Sequence, residues 1–187
     1  LVTLIWGPVQ AALLVFALAV VPGAHHLTTP EKAAVFFGLG VLFGAVGIDC
    51  AHDLMHRSGR VSGWLADLLI ASVFYGHFRS EHLLVHHSYV GTVRDAATAR
   101  FNEGFYQYFP RVLRDAFISA LRAEAGRLAE RGVAPWSPAN PFWRYGALQG
   151  TWIAIALALG GIGGLRLFGL RPLTAIWRQE RANYIDG

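Results

Sequence analysis

The sequence contains little cysteine and little charge. Cys50 is the only cysteine, so the chain cannot form an internal disulfide, a cysteine-rich zinc site or a cysteine-ligated iron–sulfur cluster. Charged residues make up only 15% of its 187 residues, whereas 54% are hydrophobic, and the mean hydropathy is +0.39. This balance is too apolar for an ordinary soluble domain and indicates a membrane protein.

Lysine is also scarce, since Lys32 is the only lysine among 16 basic residues and the formal net charge is +4. Most of the arginines lie between Arg57 and Arg144. Arginine-rich segments between apolar runs are typical of the cytoplasmic face of a membrane protein. The charge pattern therefore predicts a membrane orientation and no nucleic-acid partner.

Apolar runs predict spans at about residues 4–21, 33–51 and 145–159. The first run carries no charge and lacks a basic n-region, so we expect a membrane span and not a signal peptide. Residues 64–78 are also apolar, but the run is short and contains Asp67. We therefore expect this stretch to dip into the membrane or lie at its interface, without crossing.

The polar region 81–141 is predicted to lie outside the membrane. Within it, residues 110–131 show the periodicity of an amphipathic helix on the membrane surface, with Pro110 in its first turn and Gly132 as its stop. Glycines at positions 160–164 are expected to break the last span, and residues 165–185 to begin the return. Five charged residues interrupt that final apolar segment, namely Arg166, Arg171, Arg178, Glu180 and Arg181.

Eight histidines carry most of the chemical information. They form four groups: His25 with His26, His52 with His56, His77 alone, and His82 with His86 and His87. On a helix, residues four apart project from one face about 5–6 Å apart at Cβ, so His52 with His56, and His82 with His86, can each share a metal ion. His87 is expected about 100° further round the helix, where it could bind a second metal.

A lone histidine usually packs or faces water, but five in two such clusters beside apolar spans favour a metal site. A helix from Lys32 to His52 would rise about 30 Å, which places His25 and His26 on the opposite side. His77 is expected to pack or lie at the interface. Residues 57–81 are too few to cross the membrane and return, since that needs about 40 residues. Both clusters are therefore predicted to reach one site.

Acidic residues lie beside these histidines in the sequence. Asp49, Asp53 and Glu81 occur within or next to the clusters, and carboxylates commonly orient ligand imidazoles by accepting the N–H that faces away from the metal. A solvated charge at the interface is the alternative interpretation.

Six segments carry further information, and they follow in this order: His52-Asp53-Leu54-Met55-His56-Arg57, Glu81-His82-Leu83-Leu84-Val85-His86-His87, Asp95-Ala96-Ala97-Thr98-Ala99-Arg100, Asn102-Glu103-Gly104-Phe105-Tyr106, Asn140-Pro141-Phe142-Trp143-Arg144-Tyr145 and Asn183-Tyr184-Ile185-Asp186. From about residue 52 to the end, this order resembles that of the membrane-bound alkane monooxygenases of the fatty acid desaturase and hydroxylase superfamily. The most specific feature is the three residues between His82 and His86, where desaturases have two.

The resemblance implies two non-haem irons in a mostly histidine shell, activation of O2, and hydroxylation of a terminal methyl group. Electrons would come from rubredoxin and its reductase, in a bacterial inner membrane with the iron site facing the cytoplasm. His52, His56, His82, His86 and His87 match the family's first two ligand boxes, and Asp95 matches an acid that supports the site; Asp53 and Glu81 are the other predicted orienting carboxylates. The later histidine box is absent, so we expect a partial desaturase-like domain over residues 1–187, truncated at both ends and inactive alone.

The predicted fold is an all-α integral membrane protein, a helical bundle with histidine boxes at the cytoplasmic ends of its spans and an interfacial amphipathic helix. A desaturase or a hydroxylase of another lipid is the alternative enzyme. A soluble-type carboxylate di-iron bundle takes acid–histidine pairs from two helices and adds glutamates, which this chain does not match. A divalent-metal transporter should bury acids and histidines at mid-membrane, and residues 38–46 and 153–159 contain neither.

Arg111 and Arg114 lie on the polar side of the predicted amphipathic helix. They are predicted to help dock an acidic electron donor, because complementary charge speeds encounter. Anionic lipid head groups are the competing explanation for the same arginines.

Overall fold

The structure is a computed structural model that describes residues 2–186, and every regular element in that range is helical. The elements are α1 (Val2–Val20), α2 (Thr29–Leu42), the π-helical turn π1 (Phe43–Gly47), α3 (Ile48–His56), α4 (Arg60–Ser72), α5 (Phe78–Glu81), the π-helical turn π2 (His82–His86), α6 (His87–Tyr89), α7 (Phe105–Ala129) and α8 (Phe142–Asp186). The predicted all-α class is confirmed.

Within the described residues, three helices are long and apolar enough to cross a membrane. They cover Val2–Val20, Thr29–His56 and Phe142–Ile185, so the protein is an integral membrane protein. The second helix continues beyond the predicted span 33–51 because α2, π1 and α3 follow one another without a break. α4 is only 13 residues long and is not one of the three, as expected for the short apolar stretch.

The long helix α8 contains one break. Gly161 has φ 58° and ψ −158°, a conformation that interrupts the helix and that residues with a Cβ rarely adopt. The predicted interruption among the glycines at 160–164 is therefore confirmed, and it falls at one residue.

The chain falls into two compact units. The first contains residues 2–75 and 147–178, and the second contains residues 76–146 and 179–186. His52 and His56 belong to the first unit, whereas His82, His86 and His87 belong to the second. The single domain over residues 1–187 stays a prediction.

In the first unit, glycines allow the second membrane helix to approach α8 closely. A Cβ on Gly44 would lie 2.8 Å from the Cα and carbonyl oxygen of Ala175, and one on Gly40 would lie 2.6 Å from the carbonyl oxygen of Arg171. Glycines four residues apart commonly permit such contact between membrane helices.

Two of the arginines that interrupt the final apolar segment, Arg171 and Arg178, lie within the helix and have partners in the first unit. Arg171 is fully buried, donates to the carbonyl oxygen of Ser72, and places its guanidinium 4.4 Å from the ring centroid of Phe168. Arg178 Nη1 donates to the Gly44 carbonyl oxygen at 3.1 Å. A buried cation is tolerated when carbonyl groups and aromatic rings replace water around it.

In the second unit, α7 is the amphipathic helix, but it begins at Phe105, earlier than the predicted residue 110. Pro110 therefore lies in the second turn, where it removes a single backbone hydrogen bond. The helix ends at Ala129, and Gly132 follows with φ 68°, which agrees with the predicted stop. One face is buried, through Tyr108, Val112, Ala116, Ala120, Glu124 and Leu128. Its position at a membrane surface stays a prediction.

Candidate metal centre

In the first unit, α3 carries His52 and His56 on one exposed face. Their ring centroids are 4.8 Å apart, and their ligand nitrogens lie within 4.8 Å of each other. Buried Ile48, Ala51 and Leu54 anchor the opposite side of α3. The i, i+4 pairing expected from the sequence is confirmed, and the two imidazoles lie close enough to bind one ion after small side-chain movements.

The acids near this pair contact arginines. Asp53 Oδ2 lies 2.7 Å from Arg57 Nη2, and Asp49 Oδ1 lies 3.5 Å from Arg178 Nη1. Each carboxylate therefore has an arginine partner within the first unit. The predicted role of Asp53 in orienting a ligand imidazole stays a prediction.

In the second unit, the histidine segment differs from the α-helix assumed from the sequence. Residues His82–His86 form the π-helical turn π2, in which backbone hydrogen bonds join residues five apart. The wider turn brings His87 back towards His82, with 4.5 Å between ring centroids and 3.0 Å between the two Nε2 atoms. The rings of His82 and His86 are stacked, 5.2 Å apart. The sequence placed His87 about 100° further round an α-helix, whereas the π-helical turn places it against His82. Its role as a ligand of a second metal stays a prediction.

The spacing of these nitrogens suits a metal ion. Two nitrogen ligands at right angles on one ion, each about 2.1 Å from it, lie about 3 Å apart. The 3.0 Å between Nε2 of His82 and Nε2 of His87 matches that separation. At this distance one imidazole can also donate a hydrogen bond to the other.

Asp95 fixes the orientation of His86. Nδ1 of His86 lies 2.9 Å from Asp95 Oδ2, and Asp95 also accepts hydrogen bonds from Thr98 Oγ1 at 2.7 Å and from the Ala97 N–H at 3.0 Å. Burial opposes ionisation of Asp95, but these hydrogen bonds outweigh it and hold the pKa of Asp95 below its usual value. An ionised carboxylate only accepts, so Nδ1 of His86 carries the proton, and in the neutral imidazole Nε2 presents its lone pair.

The same hydrogen bond, donated by His86 to Asp95, raises the pKa of His86 against the effect of its partial burial. A ligand imidazole whose far nitrogen donates to a carboxylate is both oriented and made more basic. Asp95 therefore contacts the His86 imidazole, and its role in supporting a metal site stays a prediction.

Glu81 is the second buried acid beside the histidines, and the residue is only 3% exposed. Its Oε1 atom has no hydrogen-bond partner among residues 2–186. Burial, with the nearby negative charge of Asp95, raises the pKa of Glu81 to about 8. A carboxyl group with this pKa is mostly protonated at neutral pH.

Glu180 was noted in the sequence only as a charge that interrupts an apolar helix, yet it is buried in the second unit. Its Oε2 atom is 3.2 Å from the Tyr108 hydroxyl and 3.3 Å from Asn183 Nδ2. An acid three residues before the Asn-Tyr segment, on the same helical face, was the available signal. Glu180 adds a third buried carboxylate near His86, after Glu81 and Asp95.

The other three histidines occupy different places. His25 and His26 are exposed in the turn between α1 and α2, at the opposite end of the second membrane helix from His52. His77 precedes α5 and packs edge-on against Phe117, with 5.2 Å between ring centroids. Burial lowers the pKa of His77 to about 4. The exclusion of all three from the metal shell stays a prediction.

Comparison with known proteins gives one consistent result. The chain is 30% identical over 187 residues to alkane 1-monooxygenase 1 of Pseudomonas aeruginosa, covering 100% of this chain and 49% of that protein. It is 34% identical over 176 residues to alkane 1-monooxygenase of Ectopseudomonas oleovorans, covering 94% and 43%. The hydroxylase component of a xylene/toluene monooxygenase from Pseudomonas putida is 29% identical over 143 residues, covering 75% and 36%.

The chain spans about half the length of the curated relatives it matches most fully. The family model described as fatty acid desaturase matches residues 31–186, a range that includes both histidine clusters, Asp95 and Glu180. The chain therefore belongs to the fatty acid desaturase family.

Proposed function

We propose that the protein is a non-haem di-iron monooxygenase that hydroxylates medium- or long-chain alkanes at the terminal carbon to give 1-alkanols. The observation that carries this proposal is the similarity to alkane 1-monooxygenases over 94% to 100% of the chain. The membrane helices support it as well, because an apolar substrate dissolved in lipid can reach such a protein without crossing water.

The proposed iron ligands are the five clustered histidines, His52, His56, His82, His86 and His87. Neutral imidazole suits iron, and in the second unit the 3.0 Å nitrogen spacing and the Asp95 hydrogen bond fit ligation. Bound iron would supply the O2-derived oxidant that a strong C–H bond requires. The protein's own contribution is to present the imidazole nitrogens and hold Nδ1 of His86 protonated through Asp95, with Asp53 and Glu81 as the further proposed supporting carboxylates.

The proposed electron donor is rubredoxin, reduced by its reductase, at a cytoplasmic face of the bacterial inner membrane. Arg94, Arg100, Arg114 and Arg122 are exposed and help line a groove of about 560 Å³ beside α7. Arg111 is a poor docking residue, because its guanidinium is bound to Glu103 and to backbone carbonyls. If the groove docks an acidic donor, rubredoxin-dependent turnover falls as salt rises; turnover that is independent of salt would argue against it.

The direct test uses the full-length gene product with octane and reduced rubredoxin. We expect His56→Ala and His86→Ala to lose octanol formation and to lower iron per chain, because each removes a proposed ligand. His25→Ala is the matched control, since His25 lies exposed at the other end of the second membrane helix. Full activity in His86→Ala would reject the proposed ligand set.

The second candidate function is a desaturase or a hydroxylase of another lipid. It is favoured by the description of the family model and by the similarity to a xylene/toluene monooxygenase component. Product analysis separates the two candidates: 1-octanol from octane supports the first, whereas a new double bond in a lipid chain, or an alcohol from a different substrate, supports the second.

A further inference from the structure

The loop that contains Asp95 is held by side chains of α7. Arg111 Nη1 donates to the Ala96 carbonyl oxygen and Nη2 to the Thr98 carbonyl oxygen, both at 3.1 Å. The same guanidinium binds Glu103 through two hydrogen bonds of 2.6 Å. The Arg111 and Glu103 side chains are only 11% and 9% exposed, so this ion pair is largely removed from water.

The Ala97 carbonyl group, which lies between those of Ala96 and Thr98, also binds a side chain of α7. The Tyr108 hydroxyl lies 3.0 Å from the Ala97 carbonyl oxygen, so three consecutive backbone carbonyls face α7 side chains. Tyr108 and Ala96 also belong to one buried apolar cluster in the second unit. Both polar and apolar contacts therefore fix residues 96–98 against α7.

The same loop contacts a proposed iron ligand, His86. Asp95 uses Oδ1 to accept from the Ala97 N–H and Oδ2 to accept from Thr98 Oγ1 and His86 Nδ1. Ala97 and Thr98 thus orient the Asp95 carboxylate. The carbonyl groups of the same two residues are held by Tyr108 and Arg111. A shift of residues 96–98 would move the Asp95 carboxylate and, with it, the His86 imidazole.

We propose that Arg111 is a positioning residue: by holding the carbonyls of Ala96 and Thr98, it keeps Asp95 aligned with Nδ1 of His86. The effect on iron rests on the proposed function, in which Nε2 of His86 is a ligand; the effect on the imidazole does not. Lysine cannot replace Arg111, because one ammonium cannot reproduce a planar fork that serves two carbonyls and a carboxylate together.

The test compares Arg111→Gln and Arg111→Lys with Arg114→Gln in the full-length gene product. Arg114 lies one turn further along α7, but its side chain is 72% exposed and pairs with its neighbour Asp115. Circular dichroism and thermal melts identify the variants that fold. If Arg111→Gln does not fold, Arg111→Lys takes its place in the measurements below.

The first measurement needs no iron. The imidazole 15N shifts of His86, assigned with His86→Ala in metal-free protein at fixed pH, report which nitrogen carries the proton. We expect wild type and Arg114→Gln to show one tautomer protonated at Nδ1, and the Arg111 variant to show a mixture. An unchanged His86 signal in the folded Arg111 variant would overturn the proposal.

The second measurement is Fe(II) affinity. Loss of a carboxylate that orients a ligand imidazole costs about 10- to 100-fold in metal affinity, so we expect such a loss in Asp95→Asn and about 10-fold in the Arg111 variant. The double variant should lose no more than Asp95→Asn, because Arg111 acts through Asp95. If the loss of Fe(II) affinity in the double variant equals the product of the two single losses, the proposal is overturned. If the tautomer depends on Arg111 but wild type binds no iron, the positioning role stands and the proposed function fails.

Discussion

His77 and His86 lie in the same unit, and their surroundings change their basicity in opposite directions. Burial lowers the pKa of His77 to about 4, whereas the hydrogen bond to Asp95 raises the pKa of His86. Burial disfavours the charged form of an imidazole because it removes solvating water, whereas a neighbouring carboxylate stabilises the charged form. The two histidines therefore differ in what surrounds them, the Phe117 ring for His77 and the Asp95 carboxylate for His86.

His77 gives the protein a stability that depends on pH. The unfolded imidazole takes up a proton below about pH 6.5, but the folded one resists until about pH 4. Between these values the unfolded state binds more protons, so the stability present above pH 6.5 is lost as pH falls. We expect this residue alone to cost about 2 kcal/mol between pH 7 and pH 5.

Thermal melts of detergent-solubilised protein at the two pH values measure this effect. His77→Phe should flatten the pH dependence, whereas substitution of the exposed His25 by glutamine should leave it unchanged. An equal pH dependence in His77→Phe and wild type would mean that other groups cause it.

At the scale of elements, π2 determines how the second histidine cluster is arranged. The sequence predicted that residues 82–87 form a helix, but an α-helix and a π-helical turn share the same residue pattern. The wider turn places His87, five residues on, against His82. π-helical turns within helices are frequently found at functional sites. The facing pair could therefore not be predicted from spacing alone.

The turn π1 lies where the second membrane helix packs against α8, and its residue Gly44 is in close contact with the α8 backbone. A Cβ there would meet the Cα and carbonyl oxygen of Ala175 at 2.8 Å, so the backbone would have to move. We expect Gly44→Ala to destabilise the protein by about 1–3 kcal/mol, as overpacking does. Gly38→Ala is the control, because nothing lies within 4 Å of its added Cβ.

Chemical denaturation of the two variants in the same detergent measures the difference. Gly38→Ala should be neutral or slightly stabilising, since alanine favours a helix over glycine by about 1 kcal/mol. Equal stability of both variants would show that the second membrane helix and α8 do not pack this closely.

At the scale of the whole molecule, features that depend on local composition and periodicity were predicted well from the sequence. Features that depend on contacts between distant residues were predicted poorly. Apolar runs gave the membrane helices, and i, i+4 spacing gave the His52 and His56 pair, because local periodicity determines both. The partners of Arg111, Arg171 and Glu180 depend on residues distant in sequence, so their burial was not foreseen. Arg111 and Arg114 look equivalent in the sequence, yet one is bound to a loop and the other is exposed.

The last prediction concerns how much iron residues 1–187 can hold. A non-haem iron site that stays open to oxygen needs about three protein ligands, so two irons need about six, and the proposed set offers His52, His56, His82, His86 and His87. After anaerobic loading with Fe(II), we expect fewer than two irons per chain to survive a chelator. Asp95→Asn should weaken the retained iron, because His86 loses its orienting carboxylate. Two irons that resist the chelator would contradict the ligand count and would point to a buried carboxylate, Glu81 or Glu180, as a further ligand; Glu81→Gln and Glu180→Gln would then identify which one binds.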